Sequence, residues 1–528
     1  MINALRTLLE AQPLMALFLT IAIGTVVGAL SFRGFSLGIG AVLFVALVIG
    51  WLAPKSAPAP AVGTLGLALF LYAIGVHYGR DFFEGLASTD GRKANLLALI
   101  GVLSAAVVMV VMIRCGVAVG YALGLFAGSG TSTATLQAAI QRLGNDDPAV
   151  GYSVAYPFGV AGPILLLQLV FSFLKPRIDA PASATQELLE ISVRNRDVIG
   201  KRLGDVVPTL PAGVQIIAVR DDRNRPATPE FVLAEDVVVL ASGASPAALQ
   251  EARQLLGESA AGRITSDRRD LDYLSVFVSR PALVGATLRD LAPPDDARHS
   301  VIQVRRGDAD LLAQADLVLE FGDRVGVLAE RSSFPAVRTF FGDSIKGTAE
   351  FSYVSVGLGI ALGFLLGAIS FPIPGVGGLA IGVAGVLVVG LIVGRWRRTR
   401  HLNWTIPLSA SLVLRHFGLT VFLAQVGLAS GPKFAATVAD TGFLFLGLGA
   451  ILLLAIAVPI LVLGVYVFRM PFDQVGGIVA GACGNAAILG YVNKTVGNDR
   501  PDVAYAMIFP GMTIVKILVV EIVPSWFG

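Results

Sequence analysis

Uncharged stretches long enough to cross a bilayer recur at 11–32, 34–54, 56–79, 94–113, 115–141 and 148–174, since about 20 apolar helical residues span the hydrocarbon core. The pattern stops at Lys175. From there to about Glu350, strand-like runs such as Val214–Val219 and Val237–Leu240 alternate with Asp, Arg, Gly and Pro, which predicts a soluble α/β insert with a small mixed sheet. The apolar pattern resumes at Phe351–Gly394, long enough for two crossings around a turn at Pro372, Pro374 and Gly375. Further stretches follow at 402–430, 441–468, 474–493 and 503–524. The N-terminal run from Ala11 to Phe32 has no basic leader and is too long for a signal-peptide core, so it is expected to stay in the membrane.

The two membrane portions repeat each other. Gly144 and Gly497, Tyr152 and Tyr505, and Pro157 and Pro510 each stand 353 positions apart. Upstream, Gly66, Phe70, Leu71, Gly75, Gly79 and Phe82 match Gly418, Phe422, Leu423, Gly427, Gly431 and Phe434 at a separation of 352. Gly24, Gly28, Ser31 and Phe32 match Gly363, Gly367, Ser370 and Phe371 at 339. Within the insert, Gly200, Leu203, Asp205, Arg220 and Gly257 match Gly285, Leu288, Asp290, Arg305 and Gly342 at 85, predicting two related modules.

If 115–141 and 474–493 dip into the membrane and return, each half has five crossings, and an odd number turns the second half upside down. Arg395, Arg397, Arg398 and Arg400, with Arg80, Arg92, Lys93 and Lys175, then all face the cytoplasm, as the positive-inside rule asks. The expected fold is therefore a polytopic α-helical membrane protein. It has an inverted repeat of about five transmembrane helices plus a re-entrant broken-helix segment per half, around a central α/β insert of two modules. The expected divisions are 1–180, 181–262, 263–345 and 346–528, with the insert cytoplasmic and both termini outside.

Composition agrees with a membrane protein: 55% of the 528 residues are hydrophobic and 15% charged. A net charge of +3 argues against nucleic acid as partner. Cys115 and Cys483 have no pairing or ligand spacing, and the four histidines form no zinc pattern, so neither a metal nor a cofactor is expected.

The chemistry concentrates where helices break. Gly128, Ser129, Gly130, Thr131 and Ser132 interrupt one apolar segment, and Ala482, Cys483, Gly484 and Asn485 interrupt its counterpart. Ser, Thr and Asn cap new helices, so two helix N-termini are expected to face each other near the midplane and attract an anion. Small residues also serve simple close packing, and only their pairing in both repeats favours a binding site. Lys516 lies within the last apolar span, where a charge costs about 3 kcal/mol and suggests a counter-charge for substrate; snorkelling or a pair with Glu521 is the structural alternative. Gln425 offers a neutral hydrogen bond, while Pro157 and Pro510 are candidate hinges. Arg80 and Arg415 read as interface anchors, His77 and His416 as structural, and Asp146 and Asp499 as turn residues.

Taken together, the paired Gly-Ser-Gly-Thr and Gly-Ala-Cys-Gly segments, each followed by Gly-Asn-Asp and an aromatic-Pro step (Tyr156-Pro157, Phe509-Pro510), resemble the aspartate:alanine exchanger family. The insert resembles tandem C-terminal modules of potassium-transport regulators. The resemblance implies a bacterial inner-membrane secondary antiporter that is not an enzyme. It would exchange small carboxylate-bearing substrates, aspartate for alanine, by an elevator-like motion of roughly 94–174 plus 442–528 within a homodimer in the lipid bilayer, with a small-molecule or nucleotide effector on the insert. The alternatives are a dicarboxylate or glutamate exporter of the same family, and a potassium or cation channel or transporter gated by the modules, for which no selectivity-filter sequence appears.

Overall fold

The computed structural model describes residues 2–30, 38–174, 187–211, 213–243, 245–260, 262–265, 270–280, 282–306, 309–344, 352–373, 377–399, 402–496 and 500–527. Lys175, Pro374, Gly375, Arg400, Gly497, Asn498 and Asp499 lie outside them. The chain forms two compact units: 1–180 with 352–405 and 411–528, and 181–351 with 406–410.

The first unit opens with α1 (Ile2–Ala11) and α2 (Pro13–Ala29), bent by 111° where Pro13 starts a new helix. There follow α3 (Ala41–Leu52), α4 (Pro60–Ala87), α5 (Thr89–Arg114), α6 (Val119–Ser129), α7 (Thr133–Leu143) and α8 (Asp147–Leu174). The second unit holds α9 (Leu203–Val206), α10 (Pro246–Leu256) and α11 (Phe334–Phe341). Back in the first unit come α12 (Tyr353–Ala368), α13 (Ala384–Trp396), α14 (Leu408–Val462), α15 (Phe472–Cys483), α16 (Ala486–Val496) and α17 (Arg500–Ile522). This last series repeats the first: α12 and α13 correspond to α2 and α3, the long α14 to α4 plus α5, and α15–α17 to α6–α8.

Among the described residues six helices are long and apolar enough to cross a membrane, or seven with the bent α1–α2 pair. Two of them, Leu408–Ala436 and Phe443–Val467, follow one another along the helical run that begins with α14. Five crossings per half require shorter helices as well. α3, α12 and α13 have 12, 16 and 13 residues, or about 18, 24 and 20 Å, against a hydrocarbon core of about 30 Å. Left-handed Gly38 (φ 53°) and Gly382 (φ 54°) stand just before α3 and α13, a backbone conformation that glycine adopts at no steric cost.

Glycine lets these helices touch backbone to backbone, the usual means of association where lipid offers no hydrophobic drive. A Cβ on Gly75 or Gly79 would fall 2.7 or 2.4 Å from the Leu387 or Leu391 carbonyl of α13; Gly427 and Gly431, their repeat equivalents, stand equally close to Leu43 and Leu47 of α3. Helix α4 meets its own counterpart in α14 with reversed direction: Gly63 lies against Gln425, Gly66 against Gly418 and Phe422, and Gly418 against Phe70. The contacts ascend one helix while descending the other, so the two run antiparallel. Ser104 and Gly101 of α5 meet Ala455 and Ile456 in the same sense.

In the insert, β1 (Glu187–Val193), β2 (Gln215–Arg220), β3 (Asn224–Pro226), β4 (Val238–Gly243) and β5 (Gly257–Ser259) form a sheet of order β3-β2-β4-β1-β5. A second sheet, β6-β9-β7-β8, comprises β6 (Leu271–Phe277), β7 (Ser300–Arg306), β8 (Ala309–Leu312) and β9 (Arg324–Glu330). The orders coincide, and each sheet carries a bulge at the same place, Ile216/Ala218 and Val301/Gln303. All pairings among the described strands are antiparallel, in place of the mixed sheet suggested by composition, because β2–β3 and β7–β8 are hairpins and β1 and β6 pair across them with β4 and β9. A shared apolar layer from Ile217, Val238, Leu240, Ile264 and Leu271 joins the two sheets.

Candidate functional site

Helix α6 stops at Ser129 and α7 begins at Thr133; α15 stops at Cys483 and α16 begins at Ala486. Each half-helix has 11 or 12 residues, too few to cross alone. The two breaks share one geometry. Thr131 (φ 41°) and Gly484 (φ 78°), 353 positions apart, both adopt the left-handed conformation. Ser132 N donates to Ala127 O at 2.9 Å, and its equivalent Asn485 N donates to Ala480 O at 3.1 Å. The caps are also equivalent: the Ser132 hydroxyl accepts from Thr135 N at 3.4 Å, and Asn485 Oδ1 accepts from Ala487 N at 2.8 Å. Both second half-helices thus present capped N-termini at equivalent positions of the repeat.

A cavity of about 380 Å³ opens between them. Thr131 and Thr133 line it from one break, and Gly484, Asn485, Ala486 and Ala487 from the other. Tyr156 and its repeat equivalent Phe509 add aromatic walls, and Tyr505 stacks on Phe509 with ring centroids 5.3 Å apart. The lining contains Arg415 and its neighbour His416, and no Asp, Glu or Lys among the described residues. The Arg415 guanidinium lies 5.5 Å from the Tyr78 ring centroid, and its buried Nε has no hydrogen-bond partner among the described residues. A cation facing two helix N-termini makes a field that favours an anion, and a carboxylate matches the guanidinium fork.

Other sequence candidates sit around this cavity rather than on it. Ser129 donates to Gly449 O at 2.9 Å, tying the first break to α14. Gly128 packs on Tyr152, Gly130 on Lys516, and Ala482 and Cys483 are fully buried. Lys516 donates to Gly130 O at 3.0 Å, while Glu521 faces Arg142 at 4.0 Å, so the suggested Lys516–Glu521 pair does not form. Gln425 packs against Gly63 of α4. Pro157 and Pro510 each interrupt the hydrogen-bond ladder of a long helix, α8 and α17. Sequence reasoning placed Arg415 at an interface. The overlooked signal is the repeat itself: 352 positions earlier stands Gly63, so the second half carries a charge where the first has no side chain.

Comparison with known proteins agrees with this arrangement. The family model Asp-Al_Ex, described as a predicted permease membrane region, matches residues 16–172 and 355–525, the two membrane portions. The chain belongs to the aspartate:alanine exchanger family. A TrkA-C domain model matches 274–342, the second module of the insert. Relatives extend over the whole length of this exchanger-family chain. An uncharacterized transporter of Geobacter sulfurreducens is 36% identical over 98% of both chains. One from Corynebacterium efficiens is 34% identical over 96% of this chain and 97% of its own, and one from Symbiobacterium thermophilum 35% over 98% of both. The protein is a multi-pass membrane transporter of that family.

Proposed function

We propose that the protein is a secondary antiporter exchanging small carboxylate-bearing substrates, aspartate against alanine, by alternating access. The observation that carries this reading is Arg415: a guanidinium without a carboxylate partner among the described residues, in a cavity bounded by both helix breaks. Substrate carboxylate would bridge Arg415 and the amides at the start of α7 or α16. A single cation on one side of an otherwise paired site suits an asymmetric ligand such as an amino acid.

An inverted repeat is the second part of the reading. Its support is the antiparallel crossing of α4 with its own equivalent in α14, because repeat units that meet head to tail point in opposite directions. On this reading and the positive-inside rule, the insert would lie in the cytoplasm and both termini outside the inner membrane. The segments 94–174 and 442–528 would move as the carrier against the rest, with Pro157 and Pro510 as hinges, in a homodimer, and the insert would regulate them in answer to a small-molecule or nucleotide effector.

Counterflow in proteoliposomes tests the substrate. Labelled aspartate should enter only when alanine is trapped inside, and alanine only against aspartate. Uptake into empty vesicles would mean a channel or uniporter, and counterflow with glutamate or dicarboxylates alone would shift the assignment to the exporter alternative.

A further inference from the structure

Gly130 and Cys483 close the first half-helix of each break and are repeat equivalents. Their carbonyls sit at the negative ends of α6 and α15. In carriers built from broken helices, such C-terminal carbonyls are where coupling cations bind, while the N-terminal amides take the anionic substrate. Here both carbonyls already have donors. Thr131 Oγ1 reaches across to Cys483 O at 2.8 Å, and Lys516 Nζ donates to Gly130 O at 3.0 Å.

Lys516 is 1% exposed and does not line the cavity. No carboxylate pairs with it among the described residues, since Glu521, one turn and a half further along α17, faces Arg142. A buried ammonium without an anion is expensive, and the end of α6 is the compensating partial negative charge. The first half holds Pro163 at the equivalent place, 353 positions earlier, so this arrangement exists at one break only.

We propose that the Lys516 ammonium is a tethered resident cation, occupying the position at the end of α6 that a coupling Na⁺ takes in sodium-driven carriers, so that this protein works without Na⁺. Lys516 acts here as a positioning residue: it holds the unwound segment between α6 and α7 from α17 without lining the cavity itself. The transport part of the inference rests on the exchanger reading; the binding part does not.

The test uses full-length protein in detergent, unfolded thermally in NaCl and in choline chloride at equal ionic strength. Wild type should give the same midpoint in both. Lys516→Met removes the ammonium that occupies the Gly130 carbonyl, and if Na⁺ takes its place the midpoint should rise by about 2 °C or more in NaCl; Lys516→Arg, which keeps a cation, should show no such rise. A sodium response of the wild type, or its absence from Lys516→Met, would overturn the proposal. If Lys516→Met does not fold, Lys516→Gln takes its place with the same expectation. In proteoliposomes, wild-type exchange should run at equal rates in the two salts, and stimulation by Na⁺ of twofold or more would also overturn it. Failure of every carboxylate to exchange would count against the exchanger reading, while the unfolding comparison would still decide this one.

Discussion

Gly66 and Gly418, equivalent positions of the two membrane halves, lie directly against each other: a Cβ on Gly66 would fall 2.6 Å from Gly418 O, and one on Gly418 2.4 Å from Gly66 O. The atoms in the way are backbone, which cannot rotate aside. Gly66→Ala and Gly418→Ala should therefore each destabilise the protein by about 1–3 kcal/mol, although alanine is the better helix former. Gly357→Ala is the control, because nothing lies within 4 Å of its Cβ position. Thermal midpoints in detergent should fall for the first two and stay or rise for the third; equal midpoints would mean that α4 and α14 do not cross at these glycines.

Arg415 should dominate substrate affinity. Loss of a hydrogen-bonded charge costs about 1.5–3 kcal/mol, so Arg415→Gln should weaken binding or slow counterflow by about 10- to 150-fold. Arg415→Lys keeps the charge without the planar fork and should fall between the two. Size-exclusion profiles identical to wild type would show that the loss is not misfolding, and undiminished counterflow in Arg415→Gln would remove Arg415 from the site.

Much of this was legible in the sequence, for identifiable reasons. Glycine, serine and threonine cannot hide a helix break, so 128–132 and 482–485 pointed to both interruptions, and fixed separations of 352 and 353 exposed the repeat. What sequence could not supply was reach across the fold. Arg415 reads as an interface residue from its place near a span end, yet it faces Tyr78, on α4, and a cavity lined by residues hundreds of positions away. Lys516 likewise has a carboxylate five residues on, but its partner is a backbone carbonyl 386 positions distant. The prolines and glycine at 372–375 marked the separation of α12 from α13, but not its form: the segments on either side pair as a β-hairpin, β10 (Ser370–Ile373) and β11 (Gly377–Ala380), because only Ser370 is polar between the two helices and no charge signals the change.

Glu190, on β1 of the insert, holds the segment between the two modules. It is 6% exposed, and its carboxylate accepts from the amides of Arg263, Ile264 and Thr265 and from the Thr265 hydroxyl. Burial pushes its carboxyl up, but these donors outweigh burial and hold it below the ordinary 4.5. A depressed carboxyl stabilises the fold above its unfolded value, and that stabilisation is lost as the pH drops through the folded value. Amide protection at 263–265, corrected for intrinsic exchange, should thus be constant above about pH 5 and decline below 4.5. Glu190→Gln should lower it about tenfold or more at neutral pH and flatten the acid dependence; an unchanged profile would mean that the carboxylate does not hold the segment.

Cys115 gives a test of orientation that needs no engineered residue. It is exposed at the end of α5, whereas Cys483 is fully buried at the second break. Helix α2 would enter from outside, α3 return, α4 enter again and α5 return, so an outside N-terminus places Cys115 outside as well. A membrane-impermeant maleimide applied to intact cells should then label the wild-type protein at one site, and Cys115→Ser should abolish the signal. The same reagent should not reach Cys483, whose neighbours leave it no exposed surface. Labelling that appears only after the cells are permeabilised would put the end of α5 inside, reverse both halves, and place the insert on the outer face.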